Sequence, residues 1–293
     1  MLIKERLLNC DFSNSENVII EYILKEKSHI KNMTTKDIAE ATYTSPSTLI
    51  RIAHKMGFNG WNELKDAYLK EDEYLTTHFT DIDANYPFTK EDNIMSIASK
   101  LAKLKEEAIE DTKSLMTHDD LQKAVRIIQD ASMVQMFAVS NNIHNSRMFQ
   151  HNMRRINKRC DICETQGDIL FSAVTMDHHG CAIITSYSGE TPMLVKVAQA
   201  LKTNHIPIIA ITNIGDNTIA SLSDVVLRIS TREKLYSKIA TYTTDAAILY
   251  VLDVLYSCVF ALNYEHNLKT KEINSKAIET GRYSTLNILK EED

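Results

Sequence analysis

Apolar and polar positions follow two different rhythms along the chain. In the N-terminal part, apolar residues recur at helical spacing. Val18, Ile19, Tyr22 and Ile23 do so within residues 15–25 and predict a helix there. A short helix is expected next, beginning at Thr34 or Thr35, either of which can cap it, and running through Ala41. Another is expected from Ser45-Pro46, a hydroxyl cap followed by proline at the first helical position, and is stopped by Gly57. It carries Leu49, Ile52, Ala53 and Met56 on one face. A further helix is predicted from about Trp61 to Lys70. Residues 71–90 lose periodicity, contain Asp, Asn and Pro, and read as a linker. Two helices follow, near 91–115 and 118–130.

The rhythm then changes. Short apolar runs at 134–139, 169–175, 181–186, 206–212 and 225–229 alternate with helical stretches near 143–158, 191–203 and 215–222. Continuous apolar runs between helices predict parallel strands, hence a three-layer α/β domain with a parallel sheet. A long apolar helix near 243–262 closes it and is the candidate dimer element, with an intramolecular core helix as the alternative.

The N-terminal pattern is that of an all-α helix-turn-helix domain. Ala39 sits where two short helices must approach, Ile38, Leu49 and Ile52 supply inner contacts, and the turn spans about Thr42 to Ser45. The second helix then offers Ser47, Thr48, Arg51 and Lys55 outward, a set of hydroxyls and cations that one helical face can present to a major groove. Ser45, Thr35 and the helix-start amides suit phosphate, and Arg51 suits a guanine edge or a phosphate. By spacing alone, a small helical bundle with a solvated polar face fits equally well. The net charge of −6 excludes a uniformly cationic surface, but no acidic residue occurs between Ala41 and Asn62, where Arg51, Lys55 and His54 lie. The run from Asp37 to Lys65 resembles the N-terminal domain of the RpiR/MurR family of bacterial regulators. The resemblance rests on Ala39, on Ser45-Pro46-Ser47-Thr48, on Arg51, and on Lys55-Met56-Gly57-Phe58 followed by Gly60-Trp61 and Glu63-Leu64-Lys65. Thr44 stands where Val is usual, and Tyr43 where small residues are common.

In the second part, Ser186-Tyr187-Ser188-Gly189-Glu190-Thr191-Pro192 follows an apolar strand and opens a helix. Hydroxyls and free amides at a helix N-terminus suit a phosphate, Gly189 permits close backbone approach, and the carboxyl edge of a parallel sheet is where such folds hold ligands. A plain helix cap without a ligand is the alternative. Residues from about 125 to 268 resemble the sugar isomerase (SIS) domain, which in that family follows the helix-turn-helix. The resemblance also covers Thr212-Asn213, Asn217 to Ala220, and Ser223-Asp224-Val225. It implies a phosphorylated-sugar site at Ser140, Asn142, Ser186, Ser188, Gly189 and Thr191. The first loop departs from the usual Gly-x-Gly-x-Ser: it reads Ala138-Val139-Ser140-Asn141-Asn142, with no glycine.

The remaining signals are weaker. The five cysteines are odd in number and suit a reduced, cytoplasmic protein. Cys160 and Cys163 have C-x-x-C spacing, but with no second pair nearby a core or strand position is favoured over zinc. His178-His179 reads as a polar turn, and His144 and His151 lie on one helix. Glu233 follows the 225–229 run, where some SIS isomerases carry a catalytic acid, and is expected to be a solvated charge. No apolar run reaching ~18 residues is evident, so no membrane span is expected. The resulting expectation is a helix-turn-helix domain (1–75), a linker with connecting helices (76–124), a SIS domain (125–268) and a polar tail (269–293). Such a chain would regulate carbohydrate genes as a homodimer or homotetramer. Its partners would be operator DNA and a phosphorylated-sugar effector, with no cofactor and no metal. A sugar-phosphate isomerase is the competing class.

Overall fold

The computed structural model describes residues 3–77, 82–165, 167–279, 281, 283, 285, 286 and 288; positions 78–81 of the expected linker and the last part of the tail lie outside them. Two compact units are formed, one within Met1–Asp92 and one comprising Asn93–Asn213 and Asn217–Asp293.

The first unit is helical: α1 (Ile3–Asn9), α2 (Asn14–Glu26), α3 (Thr35–Ala41), α4 (Pro46–Lys55) and α5 (Trp61–Thr77), with a 3₁₀ turn at Lys27–Asn32. Local chemistry sets the helix starts. Ser13 and Glu16 form a capping box on α2, and Thr34 and Asp37 form one on α3. Ser45 precedes Pro46 at the start of α4, and Gly57, at φ 80°, follows its end. Ile19, Ile23, Ile38, Ala39, Leu49, Ile52, Trp61 and Leu64 share one buried core. Ala39 is 2% exposed, as the close approach of α3 and α4 requires. Helix α5 runs on to Thr77, past the expected end near Lys70. Residues 71–77 contain no glycine or proline, and polar residues alone do not stop a helix.

The second unit opens with α6 (Ile94–Leu115) and α7 (His118–Asp130). It continues β1 (Val134–Ala138), α8 (Asn142–Arg155), β2 (Cys160–Ile162), α9 (Ile169–Val174), β3 (Cys181–Thr185), α10 (Pro192–Thr203), β4 (Ile208–Thr212), α11 (Thr218–Leu222), β5 (Val225–Arg228), α12 (Tyr242–Ala261) and α13 (Tyr264–Ile278). All strand pairs are parallel, in the order β2-β1-β3-β4-β5. Alternate residues serve opposite faces. Met136, Ile183, Ile209 and Leu227 meet Phe149 of α8 and Ile248 of α12, whereas Phe137, Ile184 and Ala210 meet Ala173 of α9, Leu194 of α10 and Ile219 of α11. Helices on both faces of the sheet make three layers.

One expected strand is a helix. Within residues 169–175 the chain forms α9 (Ile169–Val174), and the fifth strand is β2. Ile169, Ala173 and Met176 are buried while Phe171 and Val174 are exposed, which is helical spacing. A run this short does not reveal its period. Cys160 accordingly lies in a strand, and its burial pushes the thiol up to about 12.

Helix α12 is more apolar than the sequence reading recognised. Its 20 residues include a window of mean hydropathy 1.6, enough by length and composition to cross a membrane. Ala247, Ile248, Val251, Leu252 and Leu255 instead pack into the core on one face of the sheet.

A buried polar cluster fastens α6 to the segment after β5. Asp111 accepts from Ser230 Oγ at 2.7 Å and from Arg232 Nε at 3.3 Å, and Glu107 accepts from Arg232 Nη1 at 2.8 Å. The Arg232 side chain is 4% exposed and that of Asp111 1%. Removing one partner strands the other's charge in the interior. Asp111→Ala is therefore expected to lower the unfolding free energy by about 3–5 kcal/mol, read by urea denaturation.

Candidate functional site

Two sites take shape, one in each unit. In the first, α3, the turn at Thr42–Ser45 and α4 form the helix-turn-helix. The turn is held by Thr44 N donating to Ala39 O at 2.8 Å, by Thr42 Oγ1 donating to Ile38 O at 2.7 Å, and by a 2.9 Å contact between the Thr42 and Thr44 hydroxyls. The threonine at 44 thus has a partner of its own. Tyr43 takes a left-handed conformation, φ 53°, and is 98% exposed.

The residues singled out from the sequence divide as follows. Ser45, Ser47, Arg51 and Lys55 are exposed. Ser45 Oγ lies 2.8 Å from Ser47 Oγ and 3.0 Å from Thr48 Oγ1, which draws three hydroxyls together at the start of α4. Thr48 was expected to face outward but is buried, because it borders the stripe formed by Leu49, Ile52 and Ala53. Thr35 is half-buried at the first position of α3, whose cap is Thr34. Arg51 and Lys55 both reach Glu16 of α2, at 3.0 Å and 2.8 Å. Glu16, half of the capping box on α2, was not singled out from the sequence, since nothing local ties it to α4. Ile50, an exposed apolar group beside the polar ones, was also missed, and Tyr43, noted only as a departure from the family, is exposed beside it.

The second site lies at the carboxyl edge of the sheet. β1 leads into α8 on one face and adjacent β3 into α10 on the other, so their two loops diverge at a topological switch point. The β3 loop is tied at many points. Ser186 Oγ is 3.0 Å from Thr191 Oγ1 and accepts from Gly189 N at 3.2 Å. Ser188 Oγ accepts from Glu190 N at 3.1 Å, and Asn213 Nδ2 donates to the carbonyls of Tyr187 and Ser188. Glu190 accepts from Thr218 N, and Gly189 O accepts from Ile219 N. Gly189 sits at φ 67°, where an added Cβ would fall 2.0 Å from the Asn217 side chain, so only glycine fits. The Thr191 side chain does not cap α10, and its position N1 is proline. Thr185 Oγ1, at the end of β3, is buried without a hydrogen-bond partner among the described residues.

The first loop keeps a left-handed turn without glycine. Ser140 adopts φ 55° and is exposed. Asn142 opens α8, half-buried, with Nδ2 3.5 Å from Thr185 O. The structure therefore brings Asn142 against β3, while Ser140 makes the bend.

Glu233 is not a solvated charge. It is 5% exposed and closes the start of α12. Its Oε1 accepts from Thr243 N (2.6 Å), Thr243 Oγ1 (2.7 Å) and Thr244 N (3.3 Å); its Oε2 accepts from Thr244 Oγ1 (2.7 Å) and Lys238 Nζ (3.2 Å). A carboxylate at a helix N-terminus satisfies amides that would otherwise be unpaired. Lys238, which the sequence did not single out, lies 5.4 Å above the Tyr187 ring. His151 faces a different place, a cleft of about 630 Å³ that it lines with Arg147, Arg154, Arg155 and Asn274.

A serine held in the left-handed region is strained relative to glycine. Ser140→Gly is expected to raise the unfolding free energy by up to about 1 kcal/mol, measured by thermal denaturation.

Comparison with known proteins covers both units. The family description "Helix-turn-helix domain, rpiR family" matches residues 3–73, and "SIS domain" matches residues 127–257. The chain is 26% identical over 273 residues to an uncharacterised HTH-type transcriptional regulator of Caldanaerobacter subterraneus subsp. tengcongensis, covering 93% of this chain and 95% of that protein. Among solved structures it resembles the Vibrio vulnificus NanR protein complexed with ManNAc-6P (TM-score 0.59, 21% identity, 94% of this chain and 98% of that one). It also resembles the sugar isomerase domain of an RpiR transcription factor from Sphaerobacter thermophilus (TM-score 0.54, 15% identity, 61% and 98%). The chain thus carries a helix-turn-helix domain of the rpiR family at residues 3–73, followed by a SIS domain at residues 127–257.

Proposed function

We propose that this chain is a DNA-binding transcriptional regulator of carbohydrate genes whose operator affinity is set by a phosphorylated sugar. The sugar would bind between the loops that follow β1 and β3. The observation that carries the ligand half is the pre-tied loop from Ser186 to Thr191 at the switch point, beside the unpartnered hydroxyl of Thr185. A buried hydroxyl without a partner is costly, and a polar ligand or water supplies the missing bond. Ser188 and Asn142 are the side chains best placed to donate. NanR, of like fold, is complexed with ManNAc-6P, which supports a phosphosugar as the ligand class. The DNA half rests on the exposed hydroxyls and cations of α4.

The same geometry favours a regulator over an isomerase. An isomerase needs a free base at its site, and both Glu233 oxygens are engaged in holding α12. Binding would act by population shift: the sugar favours one arrangement of a cytoplasmic homo-oligomer, and that arrangement sets the spacing of paired recognition helices.

Two measurements test this. A thermal-shift screen of the chain against phosphorylated sugars and amino sugars is expected to single out one compound class. A hundredfold excess over Kd stabilises by ~2.7 kcal/mol, and Ser188→Ala is expected to abolish the shift. Turnover of ketose or aldose phosphates at ordinary enzyme rates would overturn the regulator reading. Separately, Arg51→Ala is expected to weaken binding to a selected operator about tenfold or more at matched salt, in a chain that still folds cooperatively. Equal affinity would place the recognition surface elsewhere.

A further inference from the structure

Glu16 lies outside the recognition helix yet grips it at two points. The side chain is 1% exposed. Oε1 accepts from Arg51 Nε at 3.0 Å, and Oε2 accepts from Lys55 Nζ at 2.8 Å and from Ser13 N at 2.8 Å. Burial by itself pushes this carboxyl up; the hydrogen bonds from Lys55 and Ser13 outweigh it and bring the pKa down to about 2. The clamp is therefore ionised at any pH near neutral. A capping box needs one oxygen for the Ser13 amide. The other oxygen accepts from Arg51 alone among the described residues.

Arginine's guanidinium is planar, with Nε on one edge and two terminal nitrogens on the other. Arg51 is 60% exposed, yet its Nε is anchored. Neither Nη1 nor Nη2 has a hydrogen bond among the described residues. Anchoring Nε sets the plane of the fork and turns its free edge away from Glu16. One turn on, Lys55 is held by the same carboxylate and lies 5.5 Å above the Phe12 ring.

We propose that Glu16 is a positioning residue for base recognition. It pre-orders Arg51 so that the Nη1/Nη2 edge, and not Nε, meets the O6/N7 edge of a guanine, and it draws Lys55 back from the groove. A side chain ordered in advance loses less freedom on binding. The inference rests on the DNA-binding reading above, and it makes a prediction opposite in sign to simple charge. An acidic group beside DNA repels phosphate, so charge alone says that removing it tightens binding to every sequence. Positioning says that its removal erases a base preference.

The test uses the full chain and a preferred duplex selected from a random pool. Affinities are measured by fluorescence anisotropy at fixed salt for that duplex and for variants with each G·C pair changed in turn to A·T. The wild-type chain is expected to prefer one G·C pair by about tenfold or more. Glu16→Gln keeps an acceptor for Ser13 N. It is expected to cut that preference to about threefold or less, at the pair that Arg51→Ala also affects, while binding random duplex as tightly or more tightly. Arg51→Lys, at an exposed position, keeps the charge but lacks the fork, and is expected to lose the same preference with an unaltered melting curve. A Glu16→Gln chain that is folded and retains the wild-type preference overturns the proposal. A separate arm needs no DNA. By NMR, the Arg51 Hε of the free chain should be protected from exchange in wild type and unprotected in Glu16→Gln; a freely exchanging Arg51 Hε in wild type overturns the proposal. Protected Hε in a chain that selects no sequence would instead sink the DNA-binding reading and leave the clamp itself intact.

Discussion

A parallel sheet must be covered on both faces, because its crossover connections are helices and its strands are apolar on both sides. That constraint organises the larger unit. β1, β3 and β4 are buried at every position, and their residues alternate between the α8–α12 face and the α9–α10–α11 face. Once helices leave in opposite directions from adjacent β1 and β3, their loops separate at one edge of the sheet. The candidate ligand site is a consequence of covering the sheet, and its hydroxyls are attached afterwards to a cleft that topology has already opened.

Among the described residues, the little-exposed carboxylates Glu16, Asp111, Glu107 and Glu233 are each paired with a cation that lies outside their own helical turn. Glu16 holds Arg51 and Lys55; Asp111 and Glu107 hold Arg232; Glu233 holds Lys238 and the first amides of α12. Desolvating a charge is tolerable only with such partners. The last case bears on function. A glutamate in a position that suggests acid–base chemistry is converted by its surroundings into a fixed helix cap, and its backbone N–H and C=O are also engaged, by the Tyr187 hydroxyl of the neighbouring loop. The same segment, through Ser230 and Arg232, grips α6. The loop after β3, α12 and α6 are thus joined by polar contacts.

The left-handed Ser140 shows how a loop can make a positive-φ bend without glycine. The bend requires positive φ, and a small polar residue adopts it at a modest cost that a well-packed domain absorbs. Gly189 has no such latitude, since the Asn217 side chain occupies the space a Cβ would need. Both positions lie in loops, but one faces solvent and the other faces a neighbour.

The amino-acid sequence by itself determined what depends on near neighbours. The helix starts near Thr34–Thr35 and at Ser45-Pro46, the stop at Gly57, the apolar faces of α2 and α4, most of the parallel strands and the serine-rich loop before α10 are all set by residues within a turn or two of each other. Tertiary structure decided the rest. Residues 169–175 are a helix because the sheet's edge place goes to β2 and their burial follows helical spacing, which a run of that length does not disclose. Thr48 turns inward because the core reaches one position further round α4 than the apolar residues indicate. Glu16 meets Arg51 across 35 residues, and Asp111 meets Ser230 across 119. Such partners become neighbours only when helices pack, and because a charge's role is set by what lies within a few ångströms of it, composition and spacing leave that role open.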